Sequence, residues 1–167
     1  EAAWTPSTVP DDLRFRRAEC LGRLGRYDEA SDELHALPNT DWPPLDQLKI
    51  DVLFGISDLE LGHERRAYRR LGRTLDSAEP GVGTHYQAMG RHAILTRAVN
   101  TANLLVLAGS DREKRQAVEQ RAQLIELGNA QLAEIIRTEE TWFALDGFVA
   151  LARAHERLGH ELLVEAP

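Results

Sequence analysis

From Asp11 onward, apolar residues return every three or four positions in runs separated by short breaks that contain Gly or Pro. No five-residue stretch bounded by turn residues alternates apolar and polar as a half-buried strand would. The pattern predicts an all-α fold of about seven helices. The first spans Asp11 to Leu24, capped by Asp11 or Asp12 and stopped by Gly25. The second runs from Tyr27 to Leu37 and meets Pro38, and a third follows the Asn39-to-Pro44 connection and ends at Leu61, before Gly62. A fourth, His63 to Ala78, is ended by Pro80-Gly81-Val82-Gly83. Thr84 caps a fifth that reaches Ala108 and breaks at Gly109-Ser110. Asp111 opens a sixth to Arg137, with Val118, Ile125, Leu132 and Ile135 at helical spacing, and Glu139 opens a seventh that Gly159 ends at Leu158. Residues 1–10 hold the Pro, Ser and Thr of an extended lead-in.

A chain of 167 residues suggests one domain, able to bury roughly 68–70% of its unfolded surface without disulfide or metal staples. With 43% hydrophobic and 28% charged residues it carries neither the disorder nor the membrane signature. Ala98 to Ser110, the longest uncharged stretch of membrane character, falls short of the ~20 apolar residues of a spanning helix, so a soluble protein without a membrane span is expected. The lone Cys20 excludes an internal disulfide framework and a cysteine zinc site. A net charge of −7 weighs against nucleic acid as a partner. Lys occurs only at Lys49 and Lys114, an Arg bias that reads as codon usage rather than design. The start at Glu1 without Met reads as a processed or trimmed product. The compartment is left open: cytoplasmic, or periplasmic or extracellular if a signal segment was removed.

Candidate chemistry is sparse. His155 and His160 stand five apart where a zinc-binding helix face needs four, and Glu60-x-x-His63 lacks the second pair that a di-iron bundle requires. His85 and His92 share a helix but read as exposed or core-edge residues. Cys20, near Arg16, Arg17 and Arg23, reads as a small packing residue rather than a reactive thiol. No nucleophile elbow, phosphate-binding loop or dinucleotide fingerprint is present. The expectation is therefore a non-enzymatic protein with no catalytic residue, metal or cofactor. One surface feature is sharper: Arg65, Arg66, Arg69, Arg70 and Arg73 fall within an arc of about 140° on the fourth helix, opposite Ala67, Tyr68, Leu71 and Leu75. This basic face suits a carboxylate-rich or phosphorylated partner, or else a solvated surface paired with Asp28, Glu29, Asp32 and Glu33 of the preceding helix.

Beneath the helices lies a repeat. Leu24-Gly25-Arg26-Tyr27-Asp28-Glu29-Ala30 is echoed by Leu61-Gly62-His63-Glu64-Arg65-Arg66-Ala67 and by Leu158-Gly159-His160-Glu161. Ala18 stands seven before Gly25 and Leu34 four after Ala30; Gly55, Ala67 and Leu71 hold the corresponding places in the second copy, where Glu64 replaces Tyr27. In these residues the chain resembles the tetratricopeptide repeat, two antiparallel helices of ~34 residues that touch through small side chains. The resemblance implies repeats at 11–38 and 45–78, followed by longer, degenerate repeats over 84–167, because Gly25 to Gly62 is 37 residues but Gly62 to Gly159 is 97. Gly109 is the candidate for the missing reversal. An irregular helical bundle that reuses the same residues for ordinary packing is the alternative.

The resemblance also implies that partner peptides lie along the first helix of each unit. Its inward positions match Asp12, Phe15, Glu19 and Arg23, then Lys49, Val52, Ile56 and Leu59, and in the last unit Asp146, Val149, Arg153 and Arg157. Asn100 and Asn103 on the fifth helix are candidates for bonding a peptide backbone. The carboxylate clamp of chaperone-binding members uses Lys and Asn at such places, and Lys49 alone matches, so a chaperone-tail receptor is not expected. The expected function is a scaffold or adaptor module that binds a protein or peptide. The alternatives are a ligand- or peptide-sensing regulatory domain of a larger protein, or a self-assembling helical scaffold that forms a homo-oligomer.

Overall fold

A computed structural model describes residues 9–38 and 42–165. The described chain is all-helical, with seven helices: α1 (Asp11–Arg23), α2 (Tyr27–His35), α3 (Pro44–Glu60), α4 (Glu64–Ser77), α5 (Thr84–Leu104), α6 (Asp111–Arg137) and α7 (Thr141–Glu165). Most of the lead-in expected over residues 1–10, and Asn39 to Asp41 of the expected connection, lie outside the described residues. The chain divides into two compact units, Glu1–Tyr86 and Gln87–Pro167.

In the first unit α1 packs on α2, α3 on α4, and the pairs meet through α2 against α3 and α1 against α3. Both pairs turn on the same device. At Gly25 (φ +74°) the Arg26 N–H donates to Leu21 O at 2.9 Å and the Gly25 N–H to Gly22 O at 3.0 Å. At Gly62 (φ +80°) His63 N–H donates to Asp58 O at 2.8 Å and Gly62 N–H to Leu59 O at 3.1 Å. These are Schellman reversals, which satisfy the orphan carbonyls at a helix end by means of a left-handed residue that glycine adopts without strain. Small residues sit where the helices cross: Ala18, Ala30 and Ala67 are almost wholly buried, and a Cβ on Gly55 would lie 2.5 Å from Leu71 Cδ2.

The second unit holds α5 from Gln87, α6 and α7 around Ala88, Leu95, Val99, Ala102, Ile125, Ile135, Leu151 and Ala154. Ser110 caps α6 in a capping box: Glu113 N–H donates to Ser110 Oγ at 3.4 Å, and Ser110 N–H to Glu113 Oε2 at 2.7 Å. The Ser110 N–H, and after it the Ser110 hydroxyl, donate to the Glu113 carboxyl and hold it below its ordinary pKa. α5 stops at Leu104, short of the expected Ala108. Beyond it the side chains alternate, with Leu104 and Val106 exposed and Leu107 buried, as an extended segment does. Gly109 lies in this connection with φ +95°.

The third Leu-Gly pair does not reverse the chain. α7 runs through Gly159 to Glu165, so the expected end at Leu158 is corrected. Leu158 packs on the core and Glu161, one turn past the leucine, is held by Arg121 of α6 and by Arg157. Those contacts reward a helix that continues past the glycine. The inward positions read for a last repeat from Gly159 lose that reversal as their basis. A Cβ at Gly159 would meet no atom within 4 Å. Gly159→Ala is therefore expected to stabilise the chain by about 0.5–1 kcal/mol, the ordinary helix-interior preference for Ala over Gly, whereas a left-handed Gly159 would make the same change destabilising. Urea unfolding of the two proteins distinguishes the signs.

Candidate functional site

α1 and the N-terminal half of α3 flank a cleft of about 370 Å³ in the first unit. From α1 come Asp11, Asp12, Phe15, Arg16 and Glu19; from α3 come Asp46, Lys49 and Ile50; Trp42 and Tyr86 supply two further aromatic walls. Each arrives for a local reason. Asp11 and Asp12 occupy the first turn of α1 and Asp46 that of α3, where carboxylates oppose the positive end of the helix dipole. Asp12, Phe15 and Glu19 follow at three- and four-residue steps on one α1 face. Trp42 Nε1–H donates to Pro38 O at 3.3 Å, and Tyr86 stands in the first turn of α5.

The cleft carries four carboxylates against two cations. Lys49 is engaged within it: its Nζ is 3.0 Å from Asp46 Oδ1 and 5.9 Å from the Tyr86 ring centroid. Burial, and after it the Glu19 charge, pushes the Tyr86 phenol above its ordinary pKa, so it stays neutral at physiological pH. Glu19 also accepts from Arg23 at 2.8 Å. The result is an aromatic-walled groove with an acidic rim, which suits a cationic group on a ligand.

The structure brings together four of the sequence candidates, Asp12, Phe15, Glu19 and Lys49, with Arg23 exposed and bonded to Glu19. Ile56 is half-buried. Val52 and Leu59, read as groove-lining, are corrected: at 0% and 2% exposure they belong to the core. α3 is apolar on nearly every side, so helical spacing does not say which residues line a groove. Asn100, exposed, and Asn103, half-buried, lie on α5 in the second unit. Sequence reasoning missed Trp42 and Tyr86; an aromatic before Pro-Pro and another two residues after a helix cap were the only signals.

The basic face of α4 divides. Arg66 donates through Nε to Asp58 Oδ2 at 2.8 Å, and Arg70 through NH1 to Asp51 Oδ1 at 2.8 Å while stacking 4.6 Å from the Phe54 ring centroid. Their partners are on α3, not among the α2 acids expected; Glu33 of α2 instead meets Arg14 and Arg17 of α1 at 3.5 and 3.1 Å. Arg65, Arg69 and Arg73 are exposed. Cys20, read as a packing residue, is exposed as well. Among the described residues no three His, Cys, Asp or Glu side chains gather as a metal site. No described helix is long and apolar enough to cross a membrane. No protein-family model, curated protein or solved structure matches this chain.

Proposed function

We propose that this chain is a non-enzymatic interaction module of tetratricopeptide type whose α1/α3 cleft holds a peptide segment carrying a Lys or Arg side chain. The observation that carries the reading is that first-helix positions of both helix pairs, Phe15 and Glu19 with Lys49, face one aromatic-walled groove whose carboxylates outnumber its cations. Consecutive helix pairs that turn on identical Gly reversals and cross through Ala and Gly support the family resemblance. A cation from a partner would displace Lys49 from Asp46 and the Tyr86 face, and the rim acids would draw it in. An acidic tail fits poorly, because Lys49 already has its carboxylate.

A displayed random-peptide library panned against the whole chain should enrich sequences with a basic residue beside an apolar one. Trp42→Ala and Asp46→Lys should each weaken a selected peptide by about tenfold or more, the scale of losing an aromatic wall or reversing a rim charge. Enrichment of acidic peptides, binding indifferent to both changes, or turnover of a small molecule by the purified protein would refute the reading.

A further inference from the structure

The core-facing side of α7 presents Gly147, Leu151 and Ala154. At 100° per residue, Trp142, Leu145, Phe148, Val149 and Ala152 fall within an arc of about 120° on the other side. Over residues 142–152 no charged side chain falls within that arc; Glu156 follows on it one turn beyond. Trp142 is 67% exposed, Leu145 63%, Phe148 63% and Val149 37%. We propose that this face of α7 seats a second copy of the chain, paired antiparallel about a two-fold axis that passes near Val149.

Two observations select a second copy as the occupant. The first is charge. Asp146 and Arg153 lie on the same edge of the apolar stripe, about 20° apart in projection and two turns, about 10.5 Å, apart along the axis. A two-fold axis midway between them sets equal edges against each other, so Asp146 of each copy meets Arg153 of the other, twice. Arg153 is exposed and makes no ion pair among the described residues. Asp146 is half-exposed, with one oxygen 2.8 Å from His92 Nε2 and capacity for a further donor. In the same register Phe148 lies opposite the small Ala152, and Trp142 opposite the guanidinium of Arg157. A parallel pair would instead turn the charged edge onto the Phe148 edge and leave both charges unmatched.

The second is area. With aromatic side chains of about 150–250 Å² each, the four large residues expose on the order of 450 Å² per copy. Both copies with their charged edges then bury on the order of 1,000 Å², the lower bound for a specific interface. A reversible dimer follows, and it is independent of what the cleft of the first unit holds.

Sedimentation equilibrium of the whole chain, from micromolar to near-millimolar concentration, should show mass rising from one copy to two. Arg153→Asp and Asp146→Arg should each raise the dimer Kd by about tenfold or more. The double variant D146R/R153D, which exchanges the signs on both copies, should recover the original Kd to within a few-fold. Phe148→Glu should leave a monomer with unchanged helicity, and with the wild-type Tm at concentrations where the wild type is itself one copy. Since Asp146 also holds His92, Arg153→Asp carries the single-variant result. A wild-type chain that remains one copy throughout overturns the proposal, as does a double variant no tighter than its parents.

Discussion

Arg121→Ala is expected to destabilise the second unit by about 3–5 kcal/mol, the cost of removing one partner of a buried ion pair. Arg121 is 1% exposed and joins all three helices of that unit. Its Nε donates to the Ala102 carbonyl near the C-terminal end of α5 at 2.9 Å, and its NH1 and NH2 both donate to the Glu161 carboxylate on α7, NH2 at 3.3 Å. Alanine leaves a void, a weakened helix end and a carboxylate with only Arg157 beside it. The double change R121M/E161M fills the void without stranding a charge and should cost far less than Arg121→Ala alone. Chemical denaturation, read as a fall in midpoint at constant slope, makes the comparison.

The same pair sets an acid limit on stability. Hydrogen bonds from Arg121, then from Arg157, depress the Glu161 pKa from 4.5 to about 2. A carboxylate depressed in the folded state binds its proton more readily when unfolded. Its stabilisation is therefore complete above about pH 4.5 and lost as the pH falls toward about 2. The advantage of the wild type over Glu161→Gln, measured by urea unfolding across that window, should shrink to nothing at its acid end.

Leu71→Ala should cost about 2–5 kcal/mol, and Gly55→Val about 1–3 kcal/mol by overpacking, because the two positions compete for one space. Leu71 is 0% exposed, and its Cδ2 lies 2.5 Å from where a Cβ on Gly55 would stand. The double variant G55V/L71A puts the valine methyls into the room the leucine leaves. Its loss should fall well below the sum of the single losses, a coupling expected only of residues in direct contact. Additive losses in thermal or urea unfolding would mean that α3 and α4 do not cross at Gly55.

How far the sequence could be read follows from how local each cause is. Gly25 and Gly62 end helices through bonds made within six residues, and Ser110 starts α6 through a bond to Glu113; the expected bounds of α6, Asp111 to Arg137, agree with the structure. Gly159 has the same local dress as Gly62 but a different fate. Its successor Glu161 reaches Arg121, 40 residues earlier, and no motif encodes that distance. The cleft was legible in part, as Asp12, Phe15, Glu19 and Lys49 lie on helix faces that periodicity exposes, whereas Trp42 and Tyr86 come from a connection and the start of another helix.

Residue order alone was enough to read an all-helical fold, where most helices begin and end, and that α4 carries its arginines on one side; these depend on spacing and on residues within a turn or two. Packing between helices settles which apolar residues of α3 line the groove and which are buried, which acids Arg66 and Arg70 meet, and that α7 continues past Gly159 with an apolar outer face. Each of those depends on what a distant segment places opposite a side chain, and the free energy of that encounter is absent from any local window of sequence.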